Sequence, residues 1–197
     1  MSTKYFPLLA LILISTLLSG CAAVVVGGAA TGVGVSVVHD RRTAGTVIDD
    51  QGIEFQVLKV LYGIEEVRVN THINATSYNR VLLITGEAPT EALRERIINR
   101  LRQIPNIKKI QNQIIIAAPS ALVSRSSDSL ITSNVKISLL KLNAIQGFDP
   151  TRVKVVTENG IVYLLGLLKP NEVQPVIDLV SRVSGVQRVV KLFEKSL

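Results

Sequence analysis

Beyond residue 45, the pattern of apolar and polar residues occurs twice. Residues 81–86 read Val-Leu-Leu-Ile-Thr-Gly, and residues 161–166, 80 positions later, read Ile-Val-Tyr-Leu-Leu-Gly. Each run leads through a proline-containing turn into apolar positions at helical spacing and then into a short apolar segment. A repeat of this length predicts two copies of one supersecondary unit.

The first unit is predicted to contain two helices and three strands. Asp49 and Asp50 stand before apolar positions at helical spacing, which predicts a first helix beginning near them. Alternation over residues 67–75 predicts a half-buried strand, and the apolar runs at 81–85 and 110–116 predict two more. Between these two runs, a second helix has its apolar residues on one face: Leu93, Ile97, Leu101 and Ile104.

The second unit repeats this order. Its first helix is predicted over residues 128–144, with Asp128 or Ser129 as the N-cap. The pair Asn159-Gly160 is a strong hairpin signal because both residues tolerate positive φ, and residues 79–80 are expected to turn the chain in the first unit. A strand over 189–193 closes the unit. The second helix carries its apolar positions on one side: Val173, Val176, Val180 and Val183.

The predicted fold class is therefore α+β, with the order helix, strand, strand, helix, strand in each unit. The strand–helix–strand part predicts a right-handed crossover, a three-stranded mixed sheet and helices on one sheet face. We expect the units at residues 46–117 and 128–197, joined by a linker at 118–127. Units of about 70 residues are near the lower size limit for independent stability, so the two are expected to pack together.

The N-terminus has the pattern of a lipoprotein signal peptide over residues 1–20. One lysine precedes an apolar run, and Leu18-Ser19-Gly20-Cys21 resembles a lipobox, in which the cysteine becomes the acylated first residue of the mature chain. Three acyl chains on Cys21, palmitate among them, would anchor the chain stably. Residues 21–45 are then a flexible tether. The alternative, a membrane-spanning helix up to residue 38, is disfavoured because five glycines interrupt it.

Charge and residue types narrow the function further. The chain carries 22 Lys and Arg against 15 Asp and Glu, with a pI near 9.8, which favours an acidic partner. Export argues against nucleic acid as the partner and favours anionic phospholipid headgroups. His39 and His72 are isolated, and Cys21 is the only cysteine, so no metal site, cofactor site or nucleophile–base pair is predicted. We therefore expect a protein that is not an enzyme.

The helix at 128–144 contains more apolar residues than one sheet face can bury. Its apolar positions surround most of the helix axis and leave a narrow polar strip formed by Thr132, Lys136 and Asn143. Such a helix needs a second apolar surface. That surface is either the first unit or a membrane.

Two features of the repeat resemble the BON domain, a module of periplasmic and outer-membrane proteins. The first is the order of elements, and the second is the exit Gly-Val-Gln-Arg-Val at residues 185–189, whereas the first unit departs from it with Pro-Asn-Ile at 105–107. Two such units behind a lipobox resemble the dual-BON lipoproteins. The resemblance implies an outer-membrane protein facing the periplasm that binds anionic phospholipid, supports envelope integrity and acts near the division site. Ala22, in place of an inner-membrane retention Asp, agrees with the outer membrane.

In that family the first helix of the second unit contacts lipid. This places the predicted contact at Leu130, Ile131, Lys136, Leu140 and Lys141. The lysines would meet phosphates, each with roughly 1 kcal/mol of attraction near an anionic surface. Two other functions stay open at this point: a scaffold for outer-membrane assembly proteins that does not bind lipid, and a membrane-perturbing protein of the haemolysin type.

Overall fold

The computed structural model describes residues 40–120 and 122–196. The signal peptide, Cys21, His39 and most of the predicted tether lie outside the described residues. The elements of the first unit are α1 (Ala44–Tyr62), α2 (Glu65–Asn70), β1 (His72–Tyr78), β2 (Val81–Ala88), α3 (Glu91–Leu101) and β3 (Lys109–Ile116). None of the helices in the described part of the chain is long and apolar enough to cross a membrane.

The second unit has the same order, except that two 3₁₀ turns stand where the first unit has α2. Its elements are α4 (Leu122–Leu139), 3₁₀ turns at Leu140–Ala144 and Pro150–Arg152, β4 (Lys154–Glu158), β5 (Ile161–Leu168), α5 (Pro170–Val180) and β6 (Arg188–Lys195). The predicted α+β class is confirmed in both units.

Both sheets are three-stranded and mixed, as predicted. In the first, β2 is central, antiparallel to β1 and parallel to β3. The second sheet has β5 at its centre with the same relations to β4 and β6. Gly86 lies opposite Ile73, at φ 109°, and a Cβ added there would lie 1.9 Å from the carbonyl oxygen of His72. Only glycine therefore fits this point of β2.

The helices of each unit cover one face of its sheet and form a separate core. In the first unit, Ile53 and Val57 of α1 pack with Leu82 of β2 and Ile97 of α3. In the second unit, α4 contributes Ile131, Val135 and Leu139, which pack against β4, β5 and α5. Alternate residues of the central strands point towards these cores, as expected from the two-residue period of a strand.

The opposite faces of the two sheets pack against each other. Tyr78 and Leu83 of the first unit form one buried cluster with Tyr163 and Leu165 of the second. The result is four layers in the order helices, sheet, sheet, helices. Strand β2 is consequently buried along its whole length, on both faces. The expectation that the two small units pack together is met through their sheets, and α1 and α4 lie in opposite outer layers.

Two elements of the first unit differ from the predictions. Helix α1 begins at Ala44, with Thr43 as N-cap, so Asp50 lies in the middle of the helix. Residues 65–70 form helix α2 instead of the start of a strand, because Glu65 and Glu66 occupy its first turn, where carboxylates are favourable. Val67 is buried there and Val69 is exposed, so their alternation was a coincidence of spacing.

The predicted linker and tether are also shorter than expected. Helix α4 already begins at Leu122, so the second part of the 118–127 linker is helical, and Asp128 is not an N-cap. Residues 40–45 do not belong to a free tether. Arg41 and Arg42 contact both units through ion pairs, and Ala44 starts α1.

Candidate functional site

The outward face of α4 carries the exposed part of the apolar surplus. Leu130, Ile137 and Leu140 are 67%, 61% and 56% exposed. Leu130 and Ile137 are seven residues apart, which is two helical turns and therefore the same face. Leu140 continues this face into the 3₁₀ turn at the end of α4. We call Leu130, Ile137 and Leu140 the α4 patch.

Ile131 does not belong to the α4 patch, and its predicted lipid contact is wrong. Its side chain is buried in the core of the second unit. A Cβ added to Gly185, which has φ 88°, would come within 2.9 Å of the Ile131 Cγ1 atom. Each helical residue advances about 100°, so Leu130 and Ile131 cannot face the same way. Leu130 faces solvent, and its neighbour therefore points towards the sheet.

Lys136 and Lys141 are both exposed, as a contact with headgroups requires. Neither forms an ion pair with any of the residues that the structure describes. Lys141 follows Leu140 at the end of the patch, whereas Lys136 lies roughly 120° around the helix from Leu130. Asp128, the acid of α4, is buried and faces the β4–β5 turn. The charge on the exposed surface of α4 is therefore positive.

The serines beside the α4 patch use their hydroxyl groups within the helix. The Ser129 hydroxyl donates to the Arg125 carbonyl at 3.1 Å, and the Ser133 hydroxyl donates to the Ser129 carbonyl at 2.9 Å. A hydroxyl bonded to its own helix loses less on leaving water than an unbonded one. Thr132, which we predicted in the outward polar strip, instead donates to the Thr157 hydroxyl of β4 at 2.7 Å.

The alternative that the apolar surplus packs against the first unit is wrong for the α4 patch. The units meet through their sheets and through a polar seam beside them, and α4 lies in the outer layer. At this seam the Asn74 amide donates to Glu158 at 2.8 Å, and the Asn159 amide donates to Glu87 at 2.6 Å. His72, which is isolated from other possible metal ligands in the sequence, also lies here, 3.8 Å from Glu158.

Glu158 is the acid at this seam whose protonation is perturbed. Burial raises the pKa of the Glu158 carboxyl, and the hydrogen bond from Asn74 opposes this rise only in part. Thr85 also donates to the same carboxylate, at 3.2 Å. The arrangement holds the units in register but brings no nucleophile next to a base. The structure describes no group of three or more His, Cys, Asp or Glu residues able to bind a metal.

A pair of arginines before α1 joins the two units at another point. Arg41 makes a two-point ion pair with Glu172 of α5, with both distances 2.6 Å, and donates to the Leu167 carbonyl. Arg42 binds Asp50, and its guanidinium lies 4.0 Å above the Tyr78 ring. Burial raises the pKa of the Glu172 carboxyl, but the hydrogen bonds from Arg41 and from the Lys169 backbone N–H, together with the positive charge of Arg41, outweigh burial, so that the net pKa is lowered.

The sequence interpretation missed the role of two buried aspartates. Asp50 accepts hydrogen bonds from the backbone N–H groups of residues 79 and 80, at 2.8 and 2.7 Å. Asp128 accepts from those of Asn159 and Gly160, both at 2.8 Å. Each helix thus fixes the hairpin turn of its own unit. The signal was the presence of an aspartate at a matching place in both repeats.

At two turns the first unit has other residues where the second unit has glycine, and the backbone angles show how this is possible. Arg80 has φ 65° where Gly160 has φ 72°, and Asn106 has φ 67° where Gly185 has φ 88°. The first unit therefore keeps the left-handed backbone at both places without glycine. Asn tolerates this conformation better than most residues, so Asn106 can take the place that glycine has in the second unit.

Comparisons with known proteins agree with this architecture. The family model described as "BON domain" matches residues 49–118 and 127–194. The chain is 32% identical over 187 residues to the outer membrane lipoprotein DolP of Haemophilus influenzae, covering 94% of each chain. It is 33% identical over 153 residues to a 21 kDa hemolysin of Actinobacillus pleuropneumoniae, covering 78% of this chain and 77% of that protein.

Similarity to solved structures is much weaker. The C-terminal domain of CdsD, a structural protein of the type III secretion system of Chlamydia trachomatis, is 12% identical. The match covers 77% of this chain and 98% of that one, with a TM-score of 0.27.

Proposed function

Because the chain belongs to the BON-domain family and carries two copies of the domain, we propose that it is an outer-membrane lipoprotein that binds anionic phospholipid through the α4 patch. The observation that carries the proposal is the exposure of Leu130, Ile137 and Leu140 on a helix whose exposed charges are lysines. Its relatedness to the H. influenzae lipoprotein over 94% of the chain supports the outer-membrane location.

The expected strength of this contact is modest. Removing about half of each patch side chain from water contributes roughly 1 kcal/mol apiece, and each lysine near an anionic surface adds roughly 1 kcal/mol. A total of about 5 kcal/mol corresponds to a dissociation constant on the order of 10⁻⁴ M. This is enough for a domain already held at the membrane, where effective concentrations are on the order of millimolar.

The membrane attachment itself is proposed to be the acylated Cys21. The lipobox-like residues 18–21 behind an apolar run support this, as does the lipoprotein relative. The substitution Cys21→Ser should remove the protein from the outer-membrane fraction of the cell, because the acylated side chain is absent. We also propose that residues 1–20 are removed as a signal peptide and that the two units face the periplasm. The proposed role is to support envelope integrity near the division site.

Vesicle flotation of the unlipidated chain, residues 22–197, tests the lipid contact directly. Vesicles containing phosphatidylglycerol should carry the chain upwards at millimolar lipid, whereas purely phosphatidylcholine vesicles should not. Leu130→Glu with Ile137→Glu should abolish flotation, and Lys136→Glu with Lys141→Glu should weaken it several-fold. Because all four side chains are exposed, their unfolding curves should match the wild type. Phe55→Glu, at an exposed position of α1, is the matched control and should float normally.

Equal flotation of the Leu130→Glu, Ile137→Glu variant would reject the proposed surface. In that case two alternatives are to be tested with the same protein. Leakage of a trapped dye from the vesicles would favour the membrane-perturbing function that the name of the Actinobacillus relative suggests. Capture of assembly proteins without lipid would favour the scaffold.

A further inference from the structure

Helix α1 carries a second exposed apolar stripe, on the other side of the molecule from the α4 patch. Ile48, Phe55 and Tyr62 are each about two-thirds exposed, and Leu58 is about half exposed. Ile48, Phe55 and Tyr62 follow one another at seven-residue intervals, and Leu58 lies between the last two, so the four side chains form one face. We call these four residues the α1 stripe.

The described part of the chain leaves the α1 stripe uncovered. Helix α1 buries its opposite face, through Ile53, Val57 and Leu61, against the core of the first unit. Because α1 and α4 are in opposite outer layers, a membrane in contact with the α4 patch lies on the far side of the four-layer stack. The α1 stripe therefore needs an occupant of its own.

The α1 stripe is complementary to itself when two copies are placed antiparallel and centred on Phe55. In this register, Ile48 of one copy lies opposite Tyr62 of the other, and the two Phe55 rings meet at the axis. Leu58 lies opposite Gly52. Apart from the adjacent residues and the backbone of α1 itself, no atom of the described residues lies within 4 Å of the place where a Cβ of Gly52 would be, so a gap is open to receive the leucine.

The polar residues that flank the stripe fit the same register. Lys59 of one copy lies opposite Gln51 of the other, so the lysines of the two copies do not face each other and each has an amide oxygen as partner. Both side chains are exposed. Like charges placed opposite each other across an interface would have opposed association.

We propose that two copies of this protein associate through the α1 stripe as an antiparallel pair of helices with two-fold symmetry. The exposed part of the four side chains amounts to on the order of 500 Å² per copy, judged from the 150–250 Å² that aromatic side chains bury. Two copies thus remove on the order of 1,000 Å² from water, at the lower limit for a specific interface. The dimer is accordingly expected to be weak and reversible. The inference uses residues that the proposed lipid contact does not use.

Sedimentation equilibrium of the full-length protein in detergent, over a hundredfold range of concentration, tests the dimer. The wild type should change from the mass of one chain to that of two. Phe55→Glu should raise the dissociation constant at least tenfold, because it places two carboxylates at the axis. Gly52→Leu should do the same by filling the gap, and it is expected to leave the fold intact because nothing in its own chain is close by. Leu130→Glu is the control in α4 and should dimerise normally.

Disulfide cross-linking tests the register. Under mild oxidation, full-length Phe55→Cys should give a covalent dimer, whereas the wild type and Leu130→Cys, which is equally exposed, should not do so to the same extent. A wild type that stays monomeric at every concentration, or equal cross-linking through positions 55 and 130, would overturn the proposal. Loss of flotation by Phe55→Glu would overturn it as well, since a membrane would then be the occupant. If Leu130→Glu with Ile137→Glu still floats like the wild type, that result contradicts only the proposed lipid contact and not the dimer.

Discussion

Arg41 and Glu172 form a two-point ion pair between the units, with both N–O distances 2.6 Å and the Glu172 carboxylate fully buried. Arg41 precedes the first helix of the first unit, and Glu172 stands in the first turn of α5 in the second unit. The pair joins residues that are 131 positions apart in the chain. The ion pair therefore forms only when the two units are packed together, and folding of each unit by itself is not sufficient.

Replacing Arg41 should be among the most destabilising single changes at the surface of this protein. Arg41→Ala leaves a buried carboxylate without its cation, for which we expect a loss of about 3 kcal/mol in the free energy of unfolding. Urea denaturation followed by circular dichroism measures it. Arg96→Ala, which breaks the exposed pair with Glu66 of α2, is the control and should cost less than about 0.5 kcal/mol. Similar losses in both variants would contradict a special role for Arg41.

The same pair predicts how stability changes in acid. The net pKa of Glu172 is lowered in the folded state, so its contribution is present above the unfolded value near 4.3 and is lost as the pH falls through the folded value. The wild type should therefore lose more stability between pH 5 and pH 3 than Arg41→Ala, in which the largest cause of the lowered pKa is gone. Parallel curves of unfolding free energy against pH for the two proteins would refute this assignment.

Glu158 should show the opposite sign. Its pKa is raised by burial, so its contribution to stability is fully present at pH values below about 4.3 and is lost as the pH rises through the folded value. Glu158→Gln keeps an acceptor for Asn74 and Thr85 but cannot ionise. The variant should have a higher melting temperature than the wild type at pH 7, and the difference should disappear towards pH 4. A variant that is less stable at pH 7 would show that the charge itself is needed at the seam.

Asp128 should stabilise the second unit through its hold on the hairpin turn. Asp128→Ala leaves the backbone N–H groups of Asn159 and Gly160 without their acceptor, and we expect a loss of about 3 kcal/mol. Asp128→Asn retains one acceptor oxygen and should lose about half as much. Asp178→Ala, at an exposed position of α5, should change stability by less than about 0.5 kcal/mol. Calorimetric melting distinguishes these cases.

Two glycines should respond to alanine in opposite directions. Gly52→Ala, within α1 and with nothing near the added Cβ, should stabilise the protein by about 0.5–1 kcal/mol, because alanine is the better helix former. Gly86→Ala should destabilise it strongly, since its Cβ would lie 1.9 Å from the His72 carbonyl oxygen. Both measurements belong at concentrations where the chain is monomeric. A stabilised Gly86→Ala would mean that β1 and β2 are farther apart than described.

Apart from α2, the element order was predictable because the signals that define it are local. Alternation, helical spacing and the Asn159-Gly160 turn each lie within one element or one loop. Asp50 and Asp128 show where local reading fails: an aspartate before an apolar stripe resembles an N-cap, but these two bind a turn about 30 residues further along the chain. The same applies to the buried cluster that Tyr78 and Leu83 share with Tyr163 and Leu165, through which the two sheets pack.

The candidate site was predictable only in part for a related reason. The sequence shows that α4 has more apolar residues than one sheet can cover, but it does not show which of them point outwards. Leu130 and Leu140 are exposed as predicted, whereas the adjacent Ile131 is in the core. Ile137, which is exposed between them, was not among the predicted contacts. That choice depends on the rotation of α4 about its axis, which contacts with β4 and α5 determine.

The position of Arg41 also bears on how the protein would respond to pulling. Arg41 directly precedes the first unit in the chain, and its side chain is bonded to the Leu167 carbonyl and to Glu172 of the second unit. Tension applied on the N-terminal side of Arg41 would therefore reach α5 through the ion pair and α1 through the chain. Neither unit would then be pulled away from the other. A protein held at its N-terminus would thus respond to a pulling force with both units moving together.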